Sequence, residues 1–230
     1  MPRLFQPAAA ETTDKPARGE RRKRETRTRL LDAALRLMAE KGMEGVAINE
    51  ITEAADVGFG SFYNHFDSKE AIHAALLDWV FEEFGNALGR LVHDVSDPAE
   101  VIAICVRHTI LRARREPLWG RLLVREGFSA KVLERGLGRR LLNDIAEGVR
   151  SKRFPNSDIL MMVTAAGGTV LATISIGLQF ETEAGHSPLD KAGFTTDKLP
   201  ERTAATILSI FGLDPSESEA VANRPLPTSL

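Results

Sequence analysis

Apolar residues recur at helical intervals along almost the whole chain, and no stretch alternates in the manner of a half-buried strand. From Thr26, Leu30, Ala34, Leu37 and Met38 share one helical face, and Gly42 closes the run. A shorter segment, INEITEAADV, puts Ile48, Ile51 and Ala55 on one side with Val57 just beyond, and a helix-compatible SFYNHF follows. Asp67 and Glu70 stand in capping-box spacing around Ser68, so Asp67 or Ser68 starts the next helix. That helix, SKEAIHAALLDWVFEEFGNALGRLV, is long, and carries Ile72, Leu76, Val80, Leu88 and Leu91 at helical spacing. An Asp-Pro start opens DPAEVIAICVRHTILRARR, and helical patterning continues to TAATILSIFGL. The pattern predicts an all-α protein without internal repeats.

Composition narrows the function classes. With 43% hydrophobic residues among 230, the chain has enough apolar surface for a sizeable core. Its single cysteine, Cys105, excludes an internal disulfide framework and a Cys-rich zinc site, which fits a reducing compartment. The N-terminal stretch has no apolar run of signal-peptide length, so a cytoplasmic location is expected. Net charge is -2 but unevenly spread. Residues 1–29 hold nine basic and four acidic side chains, and residues 30–69 hold three basic and seven acidic. A basic arm over residues 1–23, followed by Arg24 and Arg27, fits a polyanionic partner touched first by the arm, with Arg24 and Arg27 as DNA contacts. The same charge pattern also fits a solubilising disordered tail without a partner.

The segment Ile159 to Leu178 has no formal charge over the length of a membrane span. It is diluted by Thr164, Gly167, Gly168, Thr169, Thr173, Ser175 and Gly177, and reads as a helix of a soluble bundle, with no membrane partner expected. The small residues of that helix suit a close backbone approach at a subunit interface or behind a pocket. No His, Asp, Glu or Cys spacing matches a metal site, no catalytic constellation or phosphate loop is legible, and no enzyme activity or cofactor is expected.

A helix over 48–56, a short turn through Val57 and Gly58, and a helix beginning near Phe59 have the spacing of a helix-turn-helix, in which a brace helix supports one that enters the major groove. Phe62 and Phe66 would point inward and leave Ser61, Tyr63, Asn64 and His65 facing out. Over residues 30–72 the chain resembles the DNA-binding domain of the TetR family of one-component transcriptional regulators. The likeness lies in the Leu-x-x-Ala-Ala helix and its closing Gly, in Ile-x-x-Ala-Ala-x-Val, and in Tyr-x-His-Phe-x-Ser-Lys-Glu.

The resemblance implies a homodimer whose two reading heads bind a palindromic double-stranded DNA operator and whose C-terminal domain holds a small-molecule effector. It places Tyr63 and Lys69 on phosphates, Ser61 and His65 also at the DNA backbone, and Phe59, Gly60 and Asn64 nearest the base edges. It also implies a four-helix dimer interface from segments near 158–181 and 201–212. Two positions depart from the family pattern: Ala47 stands where a capping Thr or Ser is usual, and Asp56 where Gly is common. For the effector pocket, an apolar or amphipathic ligand and a lining of aromatic and polar side chains point to Phe84, His108, Trp119 and Gln179. The expected organisation is an arm over 1–23, a helix-turn-helix domain over 24–70, an effector and dimerisation domain over 71–214, and a disordered tail over 215–230. A constitutive architectural DNA-binding protein, with a C-terminal domain that serves only dimerisation, is the alternative.

Overall fold

A computed structural model describes residues 18–129, 134, 136–182 and 194–227 of the chain. Every regular element among these residues is helical, as the periodicity predicts. The chain divides into two compact units, residues 1–77 and 78–230.

The first unit holds α1 (Arg18–Lys41), α2 (Ile48–Ala54), α3 (Phe59–Phe62) and α4 (Lys69–Leu77). Leu30, Ala34 and Met38 of α1 meet Ile51 of α2, Phe62 and Phe66 around α3, and Ile72 and Leu76 of α4 in one dry core. α1 begins at Arg18, so the helix takes in the last residues of the stretch expected to be disordered; residues 1–17 lie outside the described part.

Two of the local joints follow from single side chains. Ala47 has extended backbone and offers no side-chain cap, but the Ala47 N–H donates to Glu50 Oε2 at 2.8 Å, so half of a capping box survives. Contact with Lys41, whose Nζ lies 2.6 Å from Glu50 Oε1, together with this N–H, holds the Glu50 carboxyl below its ordinary range. Ser68 Oγ accepts from the Ala71 N–H at 3.2 Å, so Ser68 rather than Asp67 supplies the α4 cap.

The second unit starts inside what the sequence reads as one long helix. The stretch Asp78–Glu83 is a π-helix, with one extra residue per hydrogen-bonded turn, before α5 (Phe84–Leu91) resumes the ordinary pitch. α6 (Pro98–Arg115), α7 (Pro117–Glu126), α8 (Gly136–Arg150), α9 (Ile159–Thr182), α10 (Leu199–Ile210) and α11 (Pro215–Ala222) follow. α6 is the central helix: Ala99, Ile102, Ala103, Val106 and Ile110 are all buried. The π-helix packs against the start of α8. Glu82 Oε1 accepts from the Gly136 N–H at 2.7 Å, and a β-carbon on Gly136 would collide with the Phe81 carbonyl oxygen.

The expected disordered tail is instead partly a helix. Asp214 Oδ1 accepts from the Ser216 N–H at 2.9 Å, Pro215 occupies the first turn, and Ser218, Val221 and Ala222 are buried. Beyond α11, Arg224 Nη1 lies 2.6 Å from Glu100 Oε2 and 3.3 Å from Asp97 Oδ2. The buried Arg107 donates to the Arg224 carbonyl at 2.6 Å and to Glu201 Oε1 at 2.9 Å. Charge-assisted bonds to α6 and its Asp97 cap thus fix a segment whose polar composition conceals them.

Candidate nucleic-acid interface and internal cavity

α2 ends in a Schellman motif: the Val57 N–H donates to the Thr52 carbonyl at 2.9 Å and the Asp56 N–H to the Glu53 carbonyl at 3.0 Å. This geometry puts Asp56 in the left-handed region, at φ 51°, which is why Gly is common at such a position. Arg29, on α1, completes the joint. Its Nε donates to the Ala55 carbonyl at 2.9 Å, and its Nη2 contacts the Ala55 and Asp56 carbonyls and lies 3.2 Å from Asp56 Oδ2. The arginine closes the C-terminal end of α2 and fixes the turn into α3.

α3 is a single turn. Phe62 is wholly buried and Phe66 nearly so, and their rings lie 5.8 Å apart, which anchors the turn as its spacing predicts. Phe59 and Tyr63 remain 54% and 49% exposed, edge to face at 5.7 Å, and Asn64 is exposed beside them. Tyr63 also meets Phe62 edge to face at 5.4 Å, so its ring is braced by the core while half its surface stays open. Gly58 and Gly60 both have open space where a β-carbon would stand, and Gly58 has ordinary extended backbone. The turn itself therefore does not require glycine at either position.

Ser61 and His65 are half-buried, and Lys69, the first residue of α4, is half-buried too. Arg27 Nη1 donates to the His65 carbonyl at 3.1 Å, and the guanidinium carbon lies 4.2 Å from the Phe66 ring centroid. Arg27 is thus partly occupied in supporting the turn, whereas Arg24 is exposed on α1. Burial, then the positive charges of Lys23 and Arg27, hold the His65 imidazole below its ordinary pKa. The turn brings Phe59, Gly60, Ser61, Tyr63, Asn64, His65 and Lys69 into one short surface segment of aromatic, amide, hydroxyl, imidazole and ammonium groups.

The second unit contains a cavity of about 100 Å³. Phe81, Leu88, Ile102, Val106, Leu123, Leu137, Leu141, Ala166, Val170 and Leu171 give it apolar walls, and Cys105, Thr109, Arg140 and Asp144 supply its polar side chains. Arg140 Nε lies 3.4 Å from Asp144 Oδ2. Burial pushes the Asp144 carboxyl up, against the pull of Arg140. Burial likewise pushes the Cys105 thiol up to about 12.

None of Phe84, His108, Trp119 and Gln179 is among the lining residues of this cavity. Phe84 and Trp119 pack edge to face at 5.0 Å, with the Arg112 guanidinium carbon 4.8 and 4.7 Å from their rings. They are core beside a partly buried cation. His108 is buried one residue before Thr109, about 100° away around α6. Gln179 is exposed on α9. The lining polar groups come instead as two pairs one helical turn apart, Cys105 with Thr109 and Arg140 with Asp144. Polar residues at that spacing on otherwise apolar faces are the signal that would have found them.

Comparison with known proteins agrees with both units. Residues 30–76 match the bacterial regulatory proteins of the tetR family, and residues 97–224 match the tetracyclin repressor-like C-terminal domain. A crystal structure of RolR in complex with resorcinol is 32% identical, with a TM-score of 0.65 over 92% of this chain and 100% of that one. The HTH-type transcriptional repressor DhaR of Mycobacterium sp. (strain GP1) is 38% identical over 72 residues, 31% of this chain and 36% of DhaR. The HTH-type transcriptional repressor Rv3405c of Mycobacterium tuberculosis is 30% identical over 148 residues, 63% of each chain. The chain spans 36% of the length of DhaR and 44% of that of an HTH-type transcriptional regulator of Mycobacterium tuberculosis. The chain belongs to the TetR family: it is a DNA-binding transcriptional regulator with an N-terminal helix-turn-helix and a helical C-terminal domain.

Proposed function

We propose that the protein is a homodimeric repressor that binds a palindromic operator and leaves it when a small, amphipathic, single-ring molecule occupies the cavity of the second unit. The observation that carries this reading is the cavity: apolar walls with one cluster of hydrogen-bonding groups, inside a chain whose reading head is of the helix-turn-helix type. A cavity of about 150 Å³ accepts benzene, so one of about 100 Å³ takes a single ring only as its walls adjust, and nothing larger. The resorcinol found with RolR is a ring with two hydroxyls, a chemistry that the Thr109, Arg140 and Asp144 side chains suit.

At the operator, Tyr63 and Lys69 donate to phosphates, Ser61 and His65 support them at the DNA backbone, and Asn64 reads a base edge, with Phe59 and Gly60 beside it. The unfilled space over Gly60 supports this, because a glycine that the fold does not require leaves room for a close approach from outside. Arg24 and Arg27, with the basic residues before them, supply long-range attraction. No catalytic step is part of this reading.

The second copy belongs on α9. Its stretch Ile159–Phe180 is long and apolar enough to cross a membrane, and Leu160, Met161 and Ile176 are 69%, 55% and 42% exposed, with Ile210 of α10 at 41%. A β-carbon on Gly168 would meet no atom of the same chain, which suits the close approach of a partner helix. This apolar face is what a dimer would bury.

Coupling follows the chain. It runs helically from Lys69, at the reading head, to Leu91, and Phe81 and Leu88 on that run line the cavity. Footprinting on the protein's own promoter region, with and without resorcinol, tests the proposal. Protection lost with the ligand supports it; protection that no phenol alters favours the constitutive architectural reading.

A further inference from the structure

Phe59, the first residue of α3, has no part in the core of its unit. It is 54% exposed, and the turn is already anchored by the buried pair Phe62 and Phe66. Its ring is nevertheless held in place. It meets Tyr63 edge to face at 5.7 Å, and Tyr63 in turn meets the wholly buried Phe62 at 5.4 Å. The exposed ring is therefore the outer end of an aromatic chain that starts in the core. Gly58 and Gly60 flank it, so neither neighbour carries a side chain that could shield it, and the space over both is open. An apolar ring is thus braced from within and bare on its outer side, on a surface it shares with the exposed amide of Asn64.

We propose that Phe59 is a specificity-determining residue that reads the C5-methyl group of a thymine in each operator half-site. In a helix-turn-helix the second helix lies in the major groove with its first residues against the base edges, and Phe59 opens that helix in this chain. The chemistry of the groove then selects the partner. Amide, carbonyl and ring-nitrogen edges call for a donor or an acceptor, and phosphates call for a donor or a positive charge. A phenyl ring supplies none of these. The thymine methyl is the apolar group that the major groove displays, and contact with it is what a phenylalanine can offer. Bracing by Tyr63 adds to the effect, because a ring already held loses less rotamer freedom when it is covered.

The inference rests on the proposed placement of α3 at the operator, and its test tells the two apart. A fragment of the protein's own promoter region is prepared once with thymine and once with deoxyuridine throughout, which removes the C5-methyl groups and leaves every donor and acceptor of the base edges in place. Fluorescence anisotropy then reads the affinity of the full chain, of Phe59→Ser and of Phe59→Leu for both fragments. Covering one methyl group is worth about 4-fold in affinity, so the wild type is expected to bind the deoxyuridine fragment about 15-fold more weakly when both half-sites are read. Phe59→Ser should bind the thymine fragment more weakly and tell the two fragments apart by no more than about 2-fold, the residue that altered DNA stiffness leaves. Phe59→Leu, still apolar, should keep part of the discrimination. Because Phe59 is exposed, neither substitution disturbs the core, and a ratio taken within one variant is unaffected by any loss of active protein. A wild type that binds the two fragments alike, or a Phe59→Ser variant that discriminates as strongly as the wild type, overturns the inference. If either result comes with a clear footprint on the thymine fragment, the role of Phe59 fails and the operator reading stands. No footprint on the thymine fragment sinks the operator reading, and the role of Phe59 with it.

Discussion

Arg29 on α1 and Asp56 at the end of α2 meet at 3.2 Å, and the same guanidinium caps the carbonyls that the helix end leaves open. One side chain thereby compensates for a residue that departs from the family's glycine. Asp56 sits at φ 51°, where a β-carbon costs about 1 kcal/mol unless a short polar side chain such as that of Asp bonds locally. Asp56→Ala is expected to lower stability by about that amount, while Asp56→Gly stays within about 0.5 kcal/mol of the wild type, since relief of the backbone offsets the lost contact and the more flexible unfolded chain. Urea unfolding of the two variants checks this.

Ala47 offers the reverse case. Its backbone is extended as a cap requires and half of the capping box is present. Ala47→Ser should therefore gain stability of about 1 kcal/mol by supplying the missing acceptor, measured by the same unfolding experiment. Operator affinity should not change.

His65 gives a pH signature. In the free protein its imidazole is held below the ordinary value by burial and by Lys23 and Arg27, so the folded chain binds fewer protons than the unfolded one below about pH 6.5. Stability from this group is present above that range and is lost as pH falls through it. A phosphate beside His65 reverses the preference and favours the charged ring. Operator affinity should then rise as pH drops from 7 toward 6, and His65→Gln should flatten that rise, as read by fluorescence anisotropy at fixed salt.

The α9 face predicts the assembly state. Gly168→Leu puts a large side chain where the chain's own atoms leave open space, so the variant should fold but dimerise more weakly. Analytical ultracentrifugation of wild type and variant reads the shift; an equally stable dimer would remove Gly168 from the interface.

Much of this was legible in the sequence because it is local. Helical period, the buried Phe62 and Phe66 pair, and the exposed Tyr63 and Asn64 all follow from spacing within a few residues. The α11 start was legible too: Asp214-Pro215 repeats the Asp97-Pro98 signature of α6, but the polar composition around it hid a helix held by Arg107 and Arg224. What could not be read were contacts set by tertiary packing. Aromatic content pointed to Phe84 and Trp119, yet their rings pack on Arg112, and the cavity lies where α6 and α8 each set a pair of polar residues among apolar ones. The π-helix at Asp78–Glu83 leaves no sequence mark, since its residues are ordinary helix formers.

The central claim is that occupancy of the cavity and binding of the operator oppose each other. The direct measurement is the affinity of the protein for a labelled fragment of its own promoter across a series of single-ring phenols beginning with resorcinol, together with each phenol's affinity with and without saturating DNA. The account predicts that at least one phenol lowers operator affinity by about 10-fold or more, and that the operator weakens that phenol by the same factor, as linkage requires. Phenols that fill the cavity with the same affinity in the presence and absence of operator would contradict it.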